Sequence, residues 1–94
     1  VETPVIDIPD ADFSASQTTG EAPLTVSFTD ESMGSPTEWK WNFGDGSPII
    51  DGTTSAYQNP THTYEEAGVY EVKETAINSA GRDTETKTGY ITVT

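Results

Sequence analysis

The chain has no cysteine, so no disulfide staples it and no thiolate is available as a nucleophile or metal ligand. That absence assigns no redox compartment, because extracellular domains of this size manage without bridges when their core suffices. Cations are nearly as scarce: three lysines and one arginine face sixteen acidic residues, for a formal net charge of -12. Such a surface repels phosphate backbones and anionic lipid, which argues against nucleic acid and against a polybasic membrane contact. No run approaches the roughly 18 apolar residues of a membrane span, so direct membrane insertion is not expected. No basic-then-apolar segment opens the chain, and an export signal would belong to a longer parent or have been removed. Asn42, Asn59 and Asn78 all fail the Asn-X-Ser/Thr pattern. Helical periodicity is missing too: Thr63 to Ala67 is too short, and Gly68 ends it.

What remains is a chain of 94 residues, near the usual size of one domain and able to bury roughly 60 to 68% of its extended surface. Pro4 and Pro9 deny donors to a central ladder, so residues 1–10 read as a leader or interdomain linker and edge segment. Residues 11–94 read as a single domain. Ala11, Phe13 and Ala15 alternate with Asp12, Ser14 and Ser16, and Leu24, Val26 and Phe28 alternate with Thr25, Ser27 and Thr29. Both patterns have the period of a half-buried strand. Trp39, Trp41 and Phe43 fall on one face of a third strand, opposite Glu38, Lys40 and Asn42, and supply much of the predicted core. Gly44 to Gly52 reads as a turn and a hairpin-like excursion, and Thr53 to Pro60 is weakly patterned. Val69 to Ile77 and Arg82 to Thr94 read as strands joined by a four-residue loop, Asn78 to Gly81. About seven short strands without crossover helices predict an all-β fold, a two-sheet antiparallel sandwich.

Six segments carry a resemblance that composition would not give: Gly20-Glu21-Ala22-Pro23-Leu24-Thr25-Val26-Ser27-Phe28-Thr29-Asp30, Trp41-Asn42-Phe43-Gly44-Asp45-Gly46, Pro60-Thr61-His62-Thr63-Tyr64, Ala67-Gly68-Val69-Tyr70-Glu71-Val72, Asn78-Ser79-Ala80-Gly81 and Tyr90-Ile91-Thr92-Val93. Together they resemble a polycystic kidney disease (PKD) domain, over Ala11 to Val93. The acidic wording resembles copies in archaeal surface-layer and other prokaryotic exported proteins. The resemblance implies an immunoglobulin-like sandwich, placement outside the cell or on its surface, frequent tandem arrangement, and a spacer or interaction role without catalysis. It also implies a structural motif made of Trp39, Trp41, Phe43, Gly44, Asp45, Gly46, His62, Tyr64, Gly68, Tyr70, Asn78 and Gly81.

The residues themselves support two readings at several positions. Gly44 and Gly46 let the backbone turn tightly around Asp45, whose carboxylate can accept nearby N–H donors. The same acidic turn could instead hold calcium through Asp45 and Asp51, although calcium wants six to eight oxygens. A second cation position is the junction of Asp7, Asp10 and Asp12, which a neighbouring domain would have to complete. His62 is the only histidine; one histidine identifies neither a triad nor a zinc site, so packing or hydrogen bonding is expected of it and no catalytic residue is assigned.

Strict alternation from Tyr70 and Val72 puts Glu74 and Ala76 on the core face, where a carboxylate needs partners or a proton. Relatives of the pattern usually carry an apolar residue at that place. A bulge could turn Glu74 outward and bring Ile77 in, the sheet face could be open there, or Glu74 could meet another domain or a buried cation. The open face is the expectation, and deep unpaired burial the last. Thr84, Thr86 and Thr88 alternate with Asp83, Glu85 and Lys87, which reads as a charge-protected edge or as a surface meeting an adjacent domain.

The expected role is therefore a noncatalytic spacer and assembly or adhesion module of an exported cell-surface protein. Its partners would be neighbouring domains of the same parent, and cell-surface proteins or polysaccharide. The alternative is an accessory polysaccharide- or protein-binding module of a secreted hydrolase, which an exposed Trp39 would favour. No cofactor is required, with calcium the one such an acidic chain could recruit.

Overall fold

The computed structural model describes residues 7–94, so the first six residues of the leader or linker predicted for residues 1–10 lie outside the described residues. In chain order the elements are β1 (Phe13–Ala15), β2 (Thr19–Gly20), β3 (Leu24–Asp30), β4 (Glu38–Asn42), β5 (Ile50–Gly52), a helical turn α1 (Ser55–Gln58), β6 (Thr61–Tyr64), β7 (Gly68–Asn78) and β8 (Gly81–Val93). They form a three-stranded sheet, β1-β3-β6, facing a five-stranded sheet, β2-β8-β7-β4-β5. The result is the β-sandwich that the strand periodicity predicts. All pairings are antiparallel except β2 with β8, where Thr19–Gly20 runs parallel to Thr92–Val93.

Alternation seals the space between the sheets. Val26 and Phe28 from β3, Trp39 and Trp41 from β4, Val72 from β7 and Ile91 and Val93 from β8 meet Phe13, Phe43 and Tyr64 in one cluster. The Trp41 ring stands edge-on to Phe13 at 5.1 Å and tilted against Phe28 at 5.5 Å. Each buried aromatic removes about 150 to 250 Å² from water, worth at most roughly 4 to 6 kcal/mol by area.

Three local expectations need correction. The segment Thr53 to Pro60 contains the four-residue turn α1, which has no periodicity of its own. Tertiary contacts hold it, because the Trp41 Nε1 donates to the Tyr57 carbonyl at 2.6 Å. The loop after β7 is two residues rather than four, since Asn78 pairs with Gly81. A bulge does occur, but in β8: Tyr70 pairs with Ile91 and Val72 with Lys87, so Glu71 alone faces Thr88, Gly89 and Tyr90. It leaves the alternation of β7 intact.

The hairpin β7–β8 pairs the two longest strands of the molecule, whose extents are 57 × 21 × 19 Å. At its tip, Asn78 Nδ2 donates to the carbonyls of Asp7 at 2.7 Å and Gly34 at 2.9 Å, and Asp10 bridges to Met33. At the opposite end, Thr94 N donates to Gly20 O at 2.9 Å and Ala22 N to Thr94 O at 3.0 Å. Residues 7–10 are thus tied to one pole and Thr94 to the other.

Candidate functional site

The turn after β4 is built around Asp45. Gly44 and Gly46 both have φ of 82°, a region that glycine enters without steric cost. Asp45 Oδ1 accepts from the Ser47 N–H at 3.1 Å and from the Ser47 hydroxyl, while Oδ2 takes a 2.6 Å hydrogen bond from His62 Nε2. Burial raises the affinity of this carboxyl for a proton, but the Ser47 and His62 hydrogen bonds outweigh it and hold Asp45 below the usual carboxylate range. The His62 ring lies flat on Phe43, 4.2 Å between centroids, and edge-on to Tyr64. Tyr64 in turn donates to the Phe43 carbonyl at 2.9 Å. Burial, then the neighbouring Asp45 and Tyr70, push the Tyr64 hydroxyl well above its ordinary value, which keeps it a donor.

This arrangement fastens β6 to the turn after β4. It contains two members of a triad, Asp45 and His62, but Ser47 spends its hydroxyl on Asp45, and among the described residues no hydroxyl bonds to His62. A shallow open depression beside it is lined by Asp45, Gly46, Ser47, Glu65, Glu66 and Tyr70. Tyr70 donates to the Glu66 carbonyl at 2.6 Å and so closes the turn that Gly68 leaves.

The second cluster lies on the inner face farther along β7. Glu74 is 0% exposed, which overturns the expected open face. Neither other account holds: Glu74 is not turned outward and Ile77 is not turned in, and the groups acting on Glu74 are acids and a hydroxyl. Its Oε1 lies 3.4 Å from Ser32 Oγ, whose single proton goes to the nearer Asp30, and its Oε2 accepts no hydrogen bond. Burial, then hydrogen bonding to the Asp30 carboxyl and its negative charge, push Glu74 up to about 10. Glu74 is therefore a neutral acid at pH 7, and its O–H can donate to Asp30. Asp30 accepts from the Ser32 hydroxyl at 2.6 Å, the Ser32 N–H at 3.1 Å and Trp39 Nε1 at 3.1 Å. Beside them Lys87 Nζ reaches Asp12 at 3.3 Å and Glu85 at 3.8 Å, over the rings of Phe13 and Tyr90.

Asp30, Ser32 and Asp12 are the groups around Glu74 that the sequence analysis does not name as its partners. A signal for Asp30 was present: the inward series Leu24, Val26, Phe28 continues to Asp30 by the same alternation that exposes the problem of Glu74.

Trp39, Trp41 and Phe43 are buried, and Trp39 shows 7% of its surface, so no tryptophan forms an external platform. Asn78 and Gly81 close the tip of the hairpin, where Asn78 Oδ1 accepts from Ala80 N and Gly81 N. The weak metal candidates are not brought together. Asp7, Asp10 and Asp12 are exposed, and Asp12 is paired with Lys87; Asp45 is committed to Ser47 and His62, and Asp51 sits across from Lys40. Among the described residues no group of three or more His, Cys, Asp or Glu is arranged to hold a metal ion. No helix among them is long and apolar enough to cross a membrane.

Comparison with known proteins agrees with this geometry. The profile of the PKD domain family matches residues 1–93. Collagenase ColA of Bacillus cereus is 40% identical over 60 residues, which is 64% of this chain and 6% of that protein. A structure solved in work on the promiscuous specificity of carbohydrate-binding modules from the β-sandwich superfamily superposes with a TM-score of 0.77 at 28% identity, over 97% of this chain and 36% of that one. A solution NMR structure from Methanosarcina mazei gives a TM-score of 0.63 at 33% identity, over 97% of this chain and 57% of the other. The chain thus spans less than two thirds of the length of each of these relatives.

Proposed function

The chain belongs to the PKD domain family, and from that premise we propose that it is a noncatalytic module of an extracellular protein, a stiff spacer that sets the distance between neighbouring domains and supports assembly or adhesion. The observation that carries this reading is the placement of residues 7–10 and Thr94 at opposite poles of the long hairpin. β8 has 13 residues, so it alone covers about 40 Å at roughly 3.3 Å per residue. Domains joined ahead of Asp7 and beyond Thr94 would be held apart by a filled aromatic core, which resists compression because interiors pack like solids.

The acidic surface keeps such modules from clumping, and calcium enters the reading only where a neighbouring domain completes a site begun by Asp7, Asp10 and Asp12. The likeness to a collagenase segment and to a structure from carbohydrate-binding work supports a second reading, an accessory polysaccharide-binding module of a secreted hydrolase. With both tryptophans inside, sugar would have to be met by other residues.

Small-angle scattering on parent fragments with and without this module tests the spacer. The expected result is a fixed increment in maximum dimension on adding the module, unchanged by polysaccharide. An increment that varies like a flexible linker of equal length would refute it. Saturable polysaccharide binding by the isolated module would shift the conclusion to the accessory reading.

A further inference from the structure

β8 is paired with β7 along one side, but on its other side β2 reaches only Thr92 and Val93. Among the described residues no backbone hydrogen bond meets that outer edge between Arg82 and Tyr90. Alternate residues of an antiparallel edge strand direct both N–H and C=O outward, where they pair with another strand or with water. The other edge strands are short: β1 has three residues, β5 three and β6 four. β8 is the exception, and it carries no proline and stays unbulged through Lys87.

We infer that the open edge of β8 pairs antiparallel with the same edge of a second copy of this chain, with Thr86 of each copy on the two-fold axis. The argument is charge register. Keeping the inner faces of both sandwiches on one side requires opposite residues to share a face, so the axis passes through a residue. Centring on Glu85 or Lys87 puts each against its own copy, and centring on Thr84 puts Asp83 opposite Glu85. Centring on Thr86 puts Glu85 opposite Lys87 twice, Thr84 opposite Thr88 twice, and Thr86 opposite itself. Opposite charges and threonine pairs are the favourable cross-strand combinations, and like charges the unfavourable ones. The register at Thr86 sets no like charges directly opposite one another on the two strands, and its charged pairs lie before the bulge.

Each copy carries a net charge of -12, so association is opposed at long range and strengthens when salt screens the repulsion. The pairing is therefore weak between free molecules, and effective where modules are held close together on one surface.

Sedimentation velocity from about 10 µM to about 1 mM, in low and high salt, reads the association directly, and the expected result is a dimer whose dissociation constant falls about tenfold as salt rises. Thr86→Lys brings two ammonium groups to the axis and should abolish the dimer while the melting temperature stays unchanged, since Thr86 is exposed. The absence of cysteine makes Thr86→Cys a unique spin-label site, and the label spectrum should broaden on dimerisation. A monomer at the top concentration in high salt overturns the inference. So does a dimer that Thr86→Lys leaves intact, or one in which the label at this position shows no broadening.

Discussion

Glu74 stands directly across from Trp41 in the pairing of β7 with β4, and both side chains are fully shielded from solvent. An acid and an indole share one inner face because Glu74 keeps its proton and meets Asp30 on the far side. Folding therefore takes up a proton at neutral pH.

The sign of the resulting pH dependence follows from the two states. Unfolded Glu74 ionises near 4.5, whereas the folded group holds its proton up to about 10. Below the lower value both states are protonated and the group is neutral to stability; between the two values the unfolded state gains as pH rises. Glu74→Gln should remove this loss and raise stability at pH 7 by roughly 1 to 3 kcal/mol. Urea unfolding at about pH 5 and about pH 8 should show a decline in the wild type and a flatter profile in the variant. Equal slopes would place the proton elsewhere.

Asp45 acts in the opposite sense. Its unfolded value is near 3.8 and its folded value lies lower, so its contribution is complete above the unfolded value and is lost as pH falls through the folded one. Asp45→Asn should cost about 1 to 2 kcal/mol at pH 7 and flatten the acid limb of the stability curve. His62→Ala should cost at least as much, because it also removes the stack on Phe43.

Gly44 and Gly46 share one backbone conformation but not one environment. A Cβ on Gly44 would overlap the Glu71 carbonyl oxygen, whereas one on Gly46 meets no atom within 4 Å. Gly44→Ala should therefore destabilise by about 3 kcal/mol or more, and Gly46→Ala by only about 1 kcal/mol. Thermal melts of the two variants distinguish this from a purely conformational effect, which would make them equal.

Asn78 uses both ends of its amide at the pole of the hairpin: Nδ2 donates to the carbonyls of Asp7 and Gly34, and Oδ1 accepts from Ala80 N and Gly81 N. Asn78→Ala should cost about 2 to 3 kcal/mol, and amide exchange should accelerate at Ala80 and Gly81, whose N–H groups lose their acceptor. A global loss of stability without local acceleration would count against the latch.

Much of the fold was legible because side-chain alternation is a direct projection of the strand onto a sealed interface: Val26, Phe28, Trp41 and Val72 are inside where the period puts them. The turn α1 was not legible, because it is selected from outside its own four residues, by the Trp41 hydrogen bond to the Tyr57 carbonyl and by Gly52, where a Cβ would overlap the Tyr57 ring. The partner of Glu74 was only half legible, since alternation marks a face but does not say which strand lies opposite.

The order of apolar and polar residues by itself determined a β-sandwich whose tryptophan-bearing strand turns its aromatic face to the core, because a period of two puts those rings on one side. Only the tertiary structure decided that Glu74 is enclosed beside Asp30, that His62 clasps Asp45, and that one long edge of β8 is unpaired among the described residues. Each depends on residues far apart in the chain coming within hydrogen-bond distance, or failing to, and sheet order sets that distance rather than local sequence.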